Sequence, residues 1–218
     1  MNHPKQTAES MAKRVMRFSD LKDKGIPIMF IDSMMPNHHR MNYAVIGDTA
    51  SENPDFEIQR AITDPHNYQI GMGWAPPNCG PAWHTHDYIE SFFILKGPWR
   101  FYWGNSDDHD EAEGYIDLNE WDLISLPPGM YRRFEYIGDE VGWFFAILES
   151  HKVFEGKDPY WAPKVEKAAA ENGYQANEHG KMIHPEDYEA QKAAQNEKLL
   201  GMFKNLMGVN LADYEPPK

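Results

Sequence analysis

The chain has little positive charge and almost no cysteine. Its 218 residues contain 21 Lys and Arg against 34 Asp and Glu, so its formal net charge is −13 with neutral histidines. Nucleic acids and anionic membranes are repelled by such a field, and we expect neither as a partner. The single cysteine, Cys79, excludes an intramolecular disulfide and favours a reducing compartment.

Long apolar runs are also missing. The most apolar run, Trp143 to Leu148, is far too short to span a bilayer. The charged N-terminal residues are not followed by the apolar stretch of a signal peptide. We therefore expect a cytoplasmic protein. Hydrophobic residues still make up 41% of the chain and aromatic residues 13%, which predicts a folded chain with a sizeable core.

Short strand-like runs fill the middle of the chain. Turn signals such as Lys96-Gly97-Pro98 and Pro127-Pro128-Gly129 separate them, and no helical periodicity lies between them. This pattern predicts a mainly β fold, either an antiparallel barrel or a sandwich. The runs are Tyr43 to Ile46, Phe56 to Ile62, Tyr68 to Trp74, Ile89 to Leu95, Trp99 to Trp103, Leu123 to Leu126, Arg132 to Ile137 and Trp143 to Leu148.

The two ends of the chain differ from this middle part. Residues 1–41 are expected to form an arm, with a short helix whose apolar face is Met11, Val15 and Phe18 and an edge strand from Ile26 to Ile31. Residues 42–155 are expected to form the β domain. Residues 156–218 are expected to form a helical tail, with one helix at 164–171 and another that starts at Pro185. An apolar stripe on the second helix predicts docking on the β domain or on a second subunit; it comprises Leu199, Met202, Phe203 and Leu206.

One stretch carries residue types that bind metals. His84 and His86 are two residues apart, so on a strand both imidazoles leave the same face, and Glu90 shares their parity. Two neutral imidazoles and one carboxylate suit a divalent transition metal and leave coordination positions open. Such an ion acts as a Lewis acid, activates water, or holds substrate and oxygen together.

These residues resemble the motifs of the cupin superfamily. The spacing His84-x-His86-x3-Glu90-x6-Gly97 matches the first cupin motif, and Pro127-x-Gly129 matches the turn of the second. The resemblance covers about residues 42 to 150. It implies a double-stranded β-helix, or jelly-roll barrel, with His84, His86 and Glu90 around a divalent metal inside its mouth. Fe(II) is the first expectation for that metal, with Mn, Ni and Zn as alternatives.

The sequence departs from the second motif where a fourth ligand is expected. A histidine should stand at position 132, but the residue there is Arg132, which has no lone pair for a metal. Two interpretations remain open. The guanidinium could hold an anionic group of a substrate, or it could pair with Glu90 and weaken the metal site. Tyr136 replaces the last residue of the motif and is a candidate proton donor, as are Tyr88 and Tyr102, although packing is the alternative role for all three.

Three functional hypotheses follow. The first is an Fe(II) dioxygenase acting on a small aromatic or enolic anionic compound, with Arg132 and Tyr136 as catalytic residues. The second is a metal-dependent isomerase, lyase or cyclase, in which Tyr136 or Glu90 moves a proton. The third is a binding protein without catalysis, in which the motif is a relic. Since an edge strand in the arm could join a neighbour's sheet, we also expect a homodimer.

Overall fold

A computed structural model describes residues 5–47, 60–63, 66–106, 112–149 and 157–216. The eleven described strands form two antiparallel sheets, one of six strands and one of five. The strands are β1 (Ile26–Pro27), β2 (Met41–Ile46), β3 (Tyr68–Ala75), β4 (His84–Thr85), β5 (Glu90–Lys96), β6 (Trp99–Gly104), β7 (Gly114–Leu118), β8 (Leu123–Leu126), β9 (Tyr131–Tyr136), β10 (Gly142–Glu149) and β11 (Tyr160–Trp161). The helices are α1 (Ala8–Ala12), α2 (Phe18–Leu21), α3 (Pro163–Glu171) and α4 (Tyr188–Met207), with short 3-10 helices at Lys22–Lys24 and Leu211–Asp213.

The strands β3 to β10 pair as a nested series. β3 pairs with β10, β4 with β9, β5 with β8, and β6 with β7, each pair antiparallel. This is a long hairpin rolled up on itself, and it gives two layers with the orders β3-β10-β5-β8 and β4-β9-β6-β7. Eight strands in two such sheets make a jelly roll. The mainly β fold of cupin type is therefore confirmed.

Alternation along the strands separates the barrel interior from its surface. In β9, Arg132, Phe134 and Tyr136 are buried, whereas the residues between them are half-buried. In β5, Glu90 and Phe92 likewise point inwards. The core between the sheets is aromatic: Phe134 stacks on Phe101 at 4.6 Å and lies 4.5 Å from Phe92. Since Arg132 and Glu90 share this inward parity, they extend the core face into a charged layer.

The C-terminal helix α4 covers the outer face of one sheet. Leu199 and Phe203 are fully buried, and the Phe203 ring lies 5.2 Å from the Trp74 ring. The predicted stripe therefore docks on the barrel of its own chain. The helix begins at Tyr188, after Asp187 at the N-cap position, and the expected start at Pro185 is wrong. None of the helices in the described residues is long and apolar enough to cross a membrane.

The strand predictions agree with the structure to within one or two residues at most positions. β2, β3, β5, β6, β8, β9 and β10 coincide with predicted runs. The run Phe56 to Ile62 lies mostly outside the described residues, and only the bridge from Ile46 to Ile62 is seen. The short strand β4 and the polar strand β7 were not among the predicted runs. The division into 1–41, 42–155 and 156–218 stays a prediction.

The N-terminal arm differs from its prediction. Met11 and Val15 are both about half exposed, and α1 and α2 are separate short helices rather than one amphipathic helix. Only Ile26 and Pro27 of the predicted edge strand form a strand, and they pair with β2 of the same chain. Residues 28–31 leave the sheet and pack against Trp161 and helix α3 instead. The homodimer stays a prediction.

Replacement of Phe203 by alanine tests the docking of α4. A fully buried phenylalanine that is cut back to alanine costs about 3–5 kcal/mol, because apolar burial is lost and a cavity remains. We expect the free energy of unfolding of Phe203→Ala, measured with urea, to fall by that amount. Lys204→Ala, the exposed neighbour on the same helix, should change it by less than about 0.5 kcal/mol. Equal effects of the two variants would contradict the docking.

Candidate metal centre

The three predicted ligands come together at one end of the barrel interior. His84 lies on β4, His86 follows that strand, and Glu90 is the first residue of β5. One ligand atom from each lies within 4.8 Å of the other two. All three residues are buried, with 8%, 3% and 8% of their surfaces exposed in that order. The described residues thus contain a His-His-Glu group that could bind a divalent metal.

Backbone carbonyls fix the orientation of both imidazoles. The Nδ1 atom of His84 lies 2.7 Å from the carbonyl oxygen of Ala82, and that of His86 lies 2.9 Å from the carbonyl of Tyr88. A carbonyl only accepts hydrogen bonds, so each Nδ1 carries the proton and each Nε2 presents a lone pair. Such outer contacts orient histidine ligands in metal sites.

Both imidazoles are neutral. Burial, together with the Arg132 guanidinium, lowers the pKa of His84 to about 3. The same two causes, burial first, lower the pKa of His86 further. Metal binding requires an unprotonated nitrogen, and the surroundings of these two residues keep it unprotonated across the physiological pH range.

The contact between His86 and Glu90 is stable only with a positive group beside it. Nε2 of His86 and Oε2 of Glu90 are 3.0 Å apart. With the imidazole proton on Nδ1, both atoms present lone pairs, and they repel one another unless a positive group neutralises them. Ligand atoms on one metal ion stand about 3 to 4 Å apart, so this pair already has a suitable separation. The donor set fits a divalent metal.

Arg132 supplies a cation at this position. Its register partner across the sheet is His84, its side chain is fully buried, and its Nη2 contacts Nε2 of His86 and lies 3.4 Å from Oε2 of Glu90. Nη1 donates to the carbonyl of Met130 at 3.1 Å. Of the two interpretations of Arg132, the geometry matches pairing with Glu90. A metal bound by His86 would take the lone pair that the guanidinium now uses.

Tyr88 and Asp158 hold the imidazole of His86 in position. The Tyr88 ring is stacked on the imidazole at 3.7 Å with an interplanar angle of 8°. Its hydroxyl donates to Asp158 at 2.8 Å, and Asp158 is itself 99% buried. The C-terminal segment therefore helps to hold one of the three metal-binding side chains, which the motif alone does not show.

Tyr136 does not join the cluster. It stands four residues beyond Arg132 on the same strand, which corresponds to about 13 Å. Its ring packs against Trp99 at 5.5 Å in the aromatic core, and burial raises its pKa. The expected role in proton transfer finds no support in this position. Tyr102 lies on the other face of its strand, where it donates to Glu135 at 2.6 Å and contacts Arg133.

A small cavity adjoins the cluster inside the barrel. Its volume is about 80 Å³, and His84 and Glu90 form part of its wall. Most of the remaining wall is apolar, including Phe92, Phe134 and Phe144 from the barrel. The N-terminal arm and the start of β2 contribute Ile28, Phe30, Arg40, Met41 and Asn42. Sequence reasoning missed the arm residues, since no motif marks them and only the tertiary fold brings them to the barrel.

Comparison with solved structures returns cupin-domain proteins. The cupin domain of Schizosaccharomyces pombe Cnp3 is 13% identical over 50% of this chain and 60% of its own, with a TM-score of 0.37. A cupin-2 domain protein from Rhodospirillum rubrum is 12% identical over 78% of this chain and 90% of its own, with a TM-score of 0.46. A DMSP lyase from Ruegeria pomeroyi is 15% identical over 55% of this chain and 50% of its own, with a TM-score of 0.39.

The strand order decides the fold independently of these neighbours. The chain has a cupin fold. At such low identities the likeness concerns the fold alone, and this chain spans only half the length of the lyase. No protein-family model and no curated protein matches the sequence.

Arg132 and a metal compete for the same lone pairs, which a substitution can test. In Arg132→Gln the fixed positive charge beside the three ligands is removed, so repulsion of a divalent cation falls. We expect Zn²⁺ to bind this variant at least about tenfold more tightly than wild type, or about 1.4 kcal/mol, in calorimetric titrations. Without metal the variant should be less stable, because Glu90 loses its buried counter-charge.

The neighbouring arginine provides a matched control. Arg133 points to the other side of β9, where it packs over Tyr102. Arg133→Gln removes the same charge from the same strand and should leave Zn²⁺ affinity within about twofold of wild type. Equal or weaker Zn²⁺ binding by Arg132→Gln would show that the guanidinium does not compete with the metal.

Proposed function

We propose that this protein is a metal-dependent enzyme acting on a small anion, and specifically an Fe(II) dioxygenase whose substrate is a small aromatic or enolic compound. One observation carries the proposal: His84 and Glu90 share a small, mostly apolar cavity with Phe92, Phe134 and Phe144. Ligand sites have this composition, with apolar walls and a few convergent polar groups. His84, His86 and Glu90 would hold the metal.

Bound iron(II) would supply the oxygen chemistry that amino-acid side chains lack. The chain contributes orientation and shielding. The carbonyls of Ala82 and Tyr88 hold the two imidazoles in one tautomer, so that both Nε2 atoms face the same point. The phenylalanine walls exclude water from that point, which strengthens every electrostatic interaction there. Arg132 neutralises Glu90 and limits the negative charge that the ligands present to a substrate.

The charges inside the barrel support an anionic substrate. Among the described residues, Asp32 pairs with Arg40 and Glu90 pairs with Arg132, so these four groups cancel. Both imidazoles are neutral. A divalent ion therefore adds two uncompensated positive charges to a buried site, and an anion entering the cavity would offset at least one of them.

Metal content tests whether His84, His86 and Glu90 bind a metal. Protein purified without chelators should carry stoichiometric metal by elemental analysis, and His86→Ala should lose at least about 90% of it. His179→Ala removes an exposed histidine outside the cluster and should keep the full metal content. Absence of metal from wild type, also after incubation with Fe²⁺, Mn²⁺ or Zn²⁺, would favour the alternative of a binding protein without catalysis.

Oxygen consumption tests the proposed dioxygenase activity. Iron-loaded protein should consume oxygen in the presence of one or more compounds from a panel of catechols, hydroquinone carboxylates and 1,3-diketones. The His86→Ala protein should show no uptake above the rate of free iron. If a compound is turned over equally fast without oxygen, the reaction is an isomerisation, elimination or cyclisation instead. If none of the panel supports uptake, the dioxygenase assignment loses its support.

A further inference from the structure

The N-terminal arm forms the wall of the cavity that faces the metal-binding cluster. Arg40 precedes β2 and Asn42 lies on it, and both line the cavity that also contacts His84 and Glu90. Strand β2 is not one of the eight strands of the jelly roll, since it adds to the outer side of β3. The arm therefore brings polar groups to the site that the barrel itself does not have.

Arg40 lines the cavity, and its guanidinium is held by an ion pair. It is 5% exposed, and Asp32 binds it with contacts of 3.1 Å to Nη1 and 3.2 Å to Nη2. Nη1 also donates to the carbonyl of His38 at 2.7 Å. Asp32 is in turn fixed by the backbone N–H of Ala82 at 2.8 Å. Among the described residues these contacts use three of the five N–H donors, which leaves two for a ligand.

Asn42 is a buried carboxamide that faces the cavity. Its neighbours Met41 and Tyr43 pack into the layer under α4, so the alternation of β2 turns Asn42 to the inside, opposite Gly73. It is only 7% exposed, and no hydrogen bond joins its side chain to another described residue. Its polar atoms are not among the fully buried ones that lack a partner, so a polar ligand in the cavity that Asn42 lines can reach them.

A guanidinium and a carboxamide side by side suit a carboxylate. Both groups present N–H donors, and charge-assisted bonds from arginine to a carboxylate are among the strong ones. Apart from His84 and Glu90, the rest of the wall is apolar, and a volume of about 80 Å³ accommodates about six water-sized groups. The size suits a short acid, and a benzoate-sized one exceeds it.

We propose that Arg40 and Asn42 bind the carboxylate of a short 2-oxo or enolic acid, whose second oxygen function faces His84 and Glu90. As a statement about the substrate, this proposal rests on the proposed function, and it narrows the substrate from aromatic or enolic compounds to the enolic class. It also moves the anchor for the anionic group from Arg132, which is engaged with Glu90, to the arm. As a statement about binding, it holds with or without catalysis.

Pyruvate is a suitable probe, because it is a short 2-oxo acid. Its binding to the full-length protein, loaded with the redox-inert Zn²⁺ and also metal-free, can be measured by calorimetry. We expect wild type to bind pyruvate and not benzoate. Asn42→Leu keeps the volume and removes the polar atoms, and it should weaken pyruvate binding at least about tenfold. Asn42→Asp adds a repelling charge and should weaken it at least about a hundredfold.

Two further variants complete the experiment. Arg40→Lys keeps the charge beside Asp32 but loses the planar fork, and it should also weaken binding at least about tenfold. Asn119→Asp makes the same charge change at an exposed site and should bind pyruvate as wild type does. Thermal unfolding of each variant shows whether it is folded, and Asn42→Leu should be at least as stable as wild type.

The outcomes separate this inference from the proposed function. Wild-type affinity for pyruvate in both Asn42→Leu and Arg40→Lys would overturn the subsite, as would a failure of zinc-loaded and metal-free wild type to bind pyruvate. If wild type takes up no metal but pyruvate binding still depends on Asn42, the subsite stands and the enzymatic proposal fails. If metal binds but pyruvate binds independently of Asn42 and Arg40, the subsite fails and the proposed metal-dependent function is unaffected.

Discussion

The carboxylate of Glu90 lies inside the barrel, where an ionised group without a counter-charge costs several kcal/mol. Arg132, which faces Glu90 from the opposite sheet, provides the counter-charge that offsets this cost. The two residues are far apart in sequence, and the nested strand pairing that brings β4 against β9 and β5 against β8 places them together. The barrel fold and the charged layer thus depend on each other, because neither charge is tolerable inside without the other.

The single positive charge of Arg132 does not engage all three metal-binding side chains. His84 also turns its Nε2 towards the cluster, and two imidazoles with one carboxylate can hold more charge than one guanidinium supplies. The arm then adds a second neutral pair, Asp32 with Arg40, of which Arg40 lines the cavity. With a divalent ion on one side, a small anion on the other would reduce the net charge that is left buried.

Local patterns predicted most of the barrel and the cluster. The period-2 alternation of β5 and β9 is visible in the sequence, and so is the motif spacing of His84, His86 and Glu90. The expectation that Glu90 shares a strand face with the histidines is wrong, because Glu90 begins β5 in the other sheet and only the tertiary fold brings it to them. β4 has only two residues in its strand, too few for a pattern, and β7 was hidden because Tyr115 and Ile116 are exposed among acidic residues.

Long-range contacts could not be predicted in the same way. Tyr136 fits the motif in spacing, but strand geometry carries it about 13 Å away from Arg132. Arg40 and Asn42 reach the cavity only because β2 pairs with β3, and Tyr88 supports His86 only because the C-terminal segment supplies Asp158. None of these contacts has a signature in the residues next to it.

Anomalous X-ray diffraction from crystals soaked in Mn²⁺ tests the metal centre most directly. The account predicts one strong peak about 2.0 to 2.3 Å from Nε2 of His84, Nε2 of His86 and a carboxylate oxygen of Glu90. It further predicts that the Arg132 guanidinium has moved away from Nε2 of His86. Absence of a peak at saturating Mn²⁺, with Arg132 still in contact with His86 and Glu90, would contradict it.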